Sequence, residues 1–281
     1  MTRPVIEDRD DERVAGQRVT DGFRRLLFPP DPPVVPGLEV ACLYRQAGAL
    51  HEGSALDGIG GDFVDFYGGR GLSHVAMAVG DISGKGLEAA LRAIAAKFML
   101  RGLVSSERWP LPPGSLLMDA TNALLELLRD DPGRFVTLAI ISVDARDGLV
   151  AVSLAGHPAP AVIRADRVER PLQFLLPAIG VTSDAELQAL PSEEVRLEPG
   201  DALLLFTDGL SEAHTEDGRF YEDERLEEAL GELRDLPAAQ LLERLLDDAA
   251  AFAGRPPSDD VALVLVRRTA EPENGAQPAP R

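Results

Sequence analysis

The chain has a single cysteine, Cys42, among 281 residues. That excludes an intramolecular disulfide and every zinc cluster built on several cysteines. Cys42 lies inside the apolar run Leu38 to Tyr44, so it reads as a buried thiol rather than a nucleophile. Long hydrophobic runs are also missing: none reaches the roughly 18 apolar residues of a membrane span. The opening MTRPVIEDRDDERV is charged and lacks the apolar stretch of a signal peptide. A cytoplasmic protein with no membrane partner is therefore expected. Basic residues are scarce, 28 against 47 acidic ones, for a net charge of −19. Such a surface repels phosphate backbones and anionic membranes, which disfavours nucleic acid as a partner.

What the chain does have is apolar material, 45% of its residues, enough for a sizeable core. Residues 1–10 read as disordered. Residues 11–36 read as an amphipathic helix, carried by Val14, Val19, Phe23, Leu26 and Leu27, and then a Pro-rich linker that stops it. The folded domain spans 37–268, and the polar, Pro-rich residues 269–281 read as a disordered tail. Strands are expected at Leu38–Arg45, Asp62–Tyr67, His74–Val79, Phe135–Val143, Leu149–Leu154, Ala161–Arg164, Glu193–Leu197, Ala202–Thr207 and Val261–Val266. The runs Ala202–Phe206 and Val261–Val266 are almost wholly apolar, as central strands covered on both faces are. Helices arrive in two pairs. In the first, Leu87, Leu91, Ile94 and Phe98 share one face, with Glu88, Arg92 and Arg101 turned away; Leu117, Ala120, Leu124 and Leu127 form the face of its partner. The second pair covers Leu226–Leu233 and Leu241–Phe252. Strand clusters interrupted by helix pairs do not fit alternating β-α-β units. They predict an α+β fold, a four-layer α-β-β-α sandwich of two antiparallel sheets flanked by helix pairs.

Four aspartates, Asp62, Asp81, Asp208 and Asp259, sit at the ends of these apolar runs. A carboxylate at a strand mouth is costly unless something pairs with it, and four converging ones would repel each other unless a cation held them. Hard divalent cations with oxygen ligands suit that set. The segment Gly80-Asp81-Ile82-Ser83-Gly84-Lys85-Gly86 is not a phosphate-binding P-loop, because only three residues separate Gly80 from Gly84 and a glycine follows the lysine. An N-capped strand-to-helix turn is its plain structural reading. In Gly60-Gly61-Asp62-Phe63-Val64-Asp65 the two glycines allow close backbone approach beside Asp62. Asp65, three residues on, faces the opposite side of an extended strand. Thr207-Asp208-Gly209 and Ser258-Asp259-Asp260 are each readable as an ordinary turn and a solvated acidic loop. Among the histidines, His214 after the TDG turn reads as a surface residue, though near enough to the site to be weighed as a proton donor, and His157 reads as a turn residue near the site.

The ordered set GGDFVD, GDISGKG, FVTLAI, AGHPAP, FTDGLSEA and DDVALVLV resembles the PPM superfamily of metal-dependent protein phosphatases, in its bacterial SpoIIE/RsbU-type branch, related to protein phosphatase 2C. The resemblance runs from about Pro29 to Val266. It implies the same sandwich and two Mn²⁺ or Mg²⁺ ions. By the same resemblance Asp81 bridges both ions. The Ile82 carbonyl and Asp62 serve one, and Asp208 and Asp259 serve the other, with Asp260 the less suitable member of its pair. All four aspartates are then catalytic through the metals, which activate water to attack a phosphoserine or phosphothreonine. The implied partner is a phosphorylated STAS-domain anti-anti-sigma factor, in sigma-factor regulation of a stress response. Val64 and Ala262 depart from the branch's usual aromatic and Thr or Ser, and no equivalent of the eukaryotic phosphate-binding arginine is found. With about 36 residues ahead of the domain, control is expected from a partner, from homodimerisation through the N-terminal helix, or from metal supply. Two alternatives are a catalytically silent module that binds a phospho-regulator and a general phosphatase opposing a Ser/Thr kinase.

Overall fold

The computed structural model describes residues 22, 25–47, 60–68, 73–106, 113–172, 176–181 and 192–269. Among these residues, ten strands make two five-stranded antiparallel sheets. The first is ordered β1 (Leu38–Arg45), β10 (Val261–Arg268), β9 (Ala202–Phe206), β6 (Ala161–Ile163), β7 (Val168–Glu169). The second is ordered β2 (Phe63–Gly68), β3 (His74–Ile82), β4 (Val136–Asp144), β5 (Leu149–Ala155), β8 (Glu193–Arg196). Helices α1 (Leu87–Ser106) and α2 (Pro113–Leu128) pack on the outer face of the second sheet. Helices α5 (Leu226–Leu233) and α6 (Ala238–Ala253) cover the first. Two short helices, α3 (Asp208–Ser211) and α4 (Tyr221–Glu224), link β9 to this pair. The expected α-β-β-α sandwich is the observed fold.

The wholly apolar runs are central strands, as expected: β10 lies between β1 and β9, and β9 between β10 and β6. Between the sheets lies a dry layer that includes Val64, Met77, Val79, Ile141, Leu203, Leu205 and Val264. Because side chains alternate along a strand, each inward row can be followed to its end. The row Val75, Met77, Val79 on β3 leads to Asp81, and Ala139, Ile141, Val143 on β4 starts beside Thr137. Leu203 and Leu205 on β9 lead to Thr207. The rows on β2, β10 and β1 end at Asp62, Asp260 and Tyr44. Antiparallel pairing puts all these ends at one edge of the sandwich, with Asp81 opposite Thr137 and Tyr44 opposite Ala262.

Several local expectations are corrected. β3 does not stop at Val79: Asp81 and Ile82 pair with Thr137 and Val136, so both belong to the strand. Helix α1 does not bury Leu87, Leu91 and Phe98, which stay 38%, 44% and 48% exposed. It buries Ala89, Ala90, Ala93, Ala96 and Leu100 instead, because small residues let the helix lie close on the sheet. Nor is Arg101 turned away. It forms a two-pronged ion pair with the fully buried Asp65, at 2.5 and 2.7 Å. Asp65 shares the outer row of β2 with Phe63 and Tyr67, beneath α1. One turn away on α1, buried Lys97 donates to the carbonyls of Leu27 and Phe28 at 2.9 and 3.0 Å. Burial lowers its pKa to about 8. Most of the expected N-terminal helix lies outside the described residues; residues 25–27 are helical.

Removing one side of the Asp65–Arg101 pair strands the other charge. Arg101→Met is expected to cost about 2–3 kcal/mol in urea unfolding, less than for a fully buried pair because Arg101 partly faces water. A loss below about 0.5 kcal/mol would show that Asp65 finds another partner.

Candidate metal centre

Three carboxylates, from Asp62, Asp81 and Asp208, bring an oxygen each to within 4.8 Å of one another. Asp62 precedes β2, Asp81 lies near the end of β3, and Asp208 opens α3 directly after β9. The two sheets are stitched together here. Thr207 Oγ1 donates across the gap to Asp62 Oδ2 at 2.7 Å and accepts the Ala262 N–H at 2.9 Å. The Tyr44 hydroxyl spans the same gap: it is 3.3 Å from the Asp62 carbonyl and donates to Asp260 Oδ2 at 2.6 Å. Asp260 also accepts the Ala47 N–H at 2.8 Å. It is thus committed to holding the end of β1.

Two glycines make the convergence possible. A Cβ on Gly61 would lie inside contact distance of the Ile82 carbonyl oxygen and 2.8 Å from Asp81 Oδ1. Any side chain there would push β2 away from β3 at the site. A Cβ on Gly209 would collide with the Asp260 carbonyl, so the turn after Asp208 needs glycine against β10. Ile82 is fully buried, and its carbonyl and the Asp81 carboxylate lie on the same side of Gly61.

The electrostatics are those of like charges in a poorly solvated corner. Asp62 is pushed well above the carboxylate range, first by burial and then by Asp81. Burial, with Asp208 and Asp259 nearby, raises Asp81 to about 7. Burial, Glu212 and Asp259 raise Asp208 to about 6. Fully ionised, the trio is unfavourable without a compensating positive charge. Oxygen-only donors, closely spaced and short of counter-charge, fit a hard divalent cation such as Mg²⁺ or Mn²⁺.

The remaining candidate residues sit apart from this trio. Asp259 is a charged neighbour of Asp81 and Asp208 but is not in the three-carboxylate group; its Oδ2 pairs with Lys85 Nζ at 2.9 Å. His157 is buried, with Nδ1 3.1 Å from Thr137 Oγ1 and, among the described residues, no well-formed hydrogen bond at Nε2. Burial pushes its pKa down to about 3, so it is neutral near neutral pH. His214 sits at the surface. Its Nδ1 is 2.8 Å from the Glu212 carbonyl, which requires the proton there, and Nε2 then accepts from Arg255 at 2.7 Å. Cys42 is on the inner face, its thiol pKa raised by burial to about 12, as a structural cysteine requires. Thr207 and Tyr44 were not singled out from the sequence. The available signal was that each is the first polar residue at the end of an inward apolar row.

Residues 72–269 match the family described as stage II sporulation protein E. Phosphoserine phosphatase RsbU of Bacillus subtilis is 24% identical over 209 residues, which is 74% of this chain and 59% of that protein. This chain thus spans less than two thirds of that relative. Among solved structures, the SiaA-PP2C domain of Pseudomonas aeruginosa aligns with a TM-score of 0.73 at 20% identity, covering 94% of this chain and 99% of that one. The catalytic domain of the serine threonine protein phosphatase PstP, in complex with two manganese ions, aligns with a TM-score of 0.55 at 16% identity, covering 83% and 100%. At these identities the two structures share the fold.

The raised pKa values fix the sign of a pH effect. A carboxyl with a raised folded-state pKa favours the fold while protonated. That contribution is complete below the unfolded value of 3.8 and is lost as pH climbs through about 6 and 7. Protons and cation therefore compete for the same oxygens. The rise in Tm on adding Mn²⁺ is expected to be larger at about pH 8 than at about pH 5.5, approaching the equivalent of about 2.7 kcal/mol at a hundredfold excess over Kd. Equal shifts at both pH values would contradict the site. Gly61→Ala is expected to weaken Mn²⁺ binding at least about tenfold in calorimetry; unchanged affinity would mean that β2 can yield without moving Asp62.

Proposed function

The chain belongs to the stage II sporulation protein E family, and on that premise we propose that it is a metal-dependent phosphoserine/phosphothreonine protein phosphatase. The observation that carries this reading is the convergence of Asp62, Asp81 and Asp208. Asp62, Asp81 and the Ile82 carbonyl would hold one Mn²⁺ or Mg²⁺, and Asp208 and Asp259 a second, with Asp81 shared. The fold likeness to a phosphatase domain in complex with two manganese ions supports two positions rather than one. Bound ions would supply a water acidic enough to attack phosphorus near neutral pH and would offset charge on the phosphoryl oxygens.

The chain's own residues do the positioning. Thr207 fixes one Asp62 oxygen and leaves the other for the site. The β3–β4 ladder through Asp81 and Thr137 sets the height of Asp81 at the sandwich edge. Asp208 is carried on the first turn of α3, whose backbone is pinned by the Thr207 N–H donating to the Ala262 carbonyl at 3.1 Å. With Cys42 held as a thiol, no cysteine nucleophile is on offer, and attack by a metal-activated water would require no phosphoenzyme.

A phosphorylated STAS-domain anti-anti-sigma factor is the proposed substrate, in sigma-factor regulation. Support comes from family membership and from the likeness to a phosphoserine phosphatase of Bacillus subtilis. No helix among the described residues is long and apolar enough to cross a membrane.

Hydrolysis of p-nitrophenyl phosphate tests the activity. Turnover is expected with Mn²⁺, lost with EDTA, and reduced at least about a hundredfold by Asp81→Asn. Full activity in Asp81→Asn would refute the assignment. Metal binding without turnover would favour the silent binding module instead.

A further inference from the structure

Lys85, paired with Asp259, has no role in the proposed chemistry as it stands. Lys85 lies in the short turn between β3 and α1, three residues after Ile82. Its Nζ is 2.9 Å from Asp259 Oδ2, and Asp208 and Asp260 are also close enough to act on its charge. Among the described residues, no other basic side chain forms an ion pair with Asp62, Asp81, Asp208, Asp259 or Asp260. Arg134, the other cation beside this turn, is already engaged. Its Nε donates to Asp131 at 3.1 Å and its Nη1 to the Ser83 carbonyl at 3.2 Å.

Lys85 is 69% exposed and Asp259 47%. A pair that open is held weakly and separates at little cost. The lysine stem is long and flexible, and its ammonium is a point charge that can turn to a new anion without fixed geometry. A divalent cation at Asp208 and Asp259 is a far stronger partner for Asp259 than an exposed ammonium. Once displaced, the ammonium would remain on the exposed turn beside Asp208 and Asp259 with its carboxylate taken, free to meet a phosphoryl dianion held at the metals.

We propose that Lys85 is an exchangeable counter-ion: it occupies Asp259 when the Asp208–Asp259 metal position is empty, and binds the substrate's phosphoryl oxygens when that position is filled. This rests on the two-metal phosphatase reading. It supplies the phosphate-holding cation for which the sequence offers no arginine.

Calorimetry separates the two halves without relying on turnover. Mn²⁺ is titrated into wild type, Lys85→Gln and Lys85→Arg, and inorganic phosphate is then titrated into each Mn²⁺-loaded protein. Lys85→Gln should bind the weaker Mn²⁺ about two- to fivefold more tightly, since its competitor is gone. It should bind phosphate at least about tenfold more weakly, with KM for p-nitrophenyl phosphate raised in step and kcat changed far less. Lys85→Arg should keep phosphate binding within about threefold of wild type, because the charge is retained. A Lys85→Gln protein matching wild type in both titrations overturns the Lys85 role and leaves the metal site standing. Tighter Mn²⁺ binding with unchanged phosphate binding overturns its substrate-binding half. A wild-type protein that binds no Mn²⁺ overturns the metallophosphatase reading, and the Lys85 role falls with it.

Discussion

Asp62 accepts the Thr207 hydroxyl across the gap between two sheets, at 2.7 Å, and much of the molecule is arranged so that this contact can exist. Between the sheets lies a largely apolar layer, which sets their separation but is itself indifferent to sliding, and at the far edge Arg164 donates to the Arg196 carbonyl at 2.7 Å and Arg268 to the Leu197 carbonyl at 2.9 Å. A directional bond at one edge, backed by Tyr44 and Asp260, removes that freedom. It also fixes which carboxylates meet. Asp62 and Asp81 come from one sheet and Asp208 from the end of a strand in the other. Their relative position is therefore a property of the interface, not of any single strand.

Holding like charges together in a partly dry corner is unfavourable, and the raised pKa values of all three aspartates record it. The fold carries that cost because the sandwich around it is extensively buried and well paired. Stability and function are thus divided between layers. The helix-covered outer faces and the apolar middle supply cohesion, while the edge supplies strain that a divalent cation relieves. The outer face of the second sheet has its own buried charge, Asp65, but there Arg101 answers it inside the chain. That contrast separates a structural carboxylate from one left for a ligand.

The substrate side of the site follows from the same deficit of positive charge. On the proposed reading, a chain of net charge −19 with clustered carboxylates at the site has little to offer a phosphoryl dianion apart from the cations it would hold. Lys85 stands where a second source of positive charge would be useful, on a turn that leaves it largely exposed. Its neighbour Arg134 is spent on shaping that turn.

Alternation and apolar runs were enough to place nine of the strands, both helix pairs and the sandwich itself, because burial on one or both faces writes itself directly into residue order. The two-residue β7 and the single-turn α3 and α4 were too short to leave a period. The buried face of α1 escapes the pattern for a different reason: hydrophobicity ranks Leu and Phe above Ala, but a helix packed on a sheet selects by size. At the site, sequence alone marked Asp62, Asp81, Asp208 and Asp259 as carboxylates at strand ends, and placed Asp62 and Asp65 on opposite faces of β2. It could not say that three of the four converge while Asp259 turns to Lys85, that Thr207 and Tyr44 bind the sheets together, or that Asp65 ends in an ion pair. Those are distances between segments far apart in the chain, and only the packing of one sheet on the other decides them.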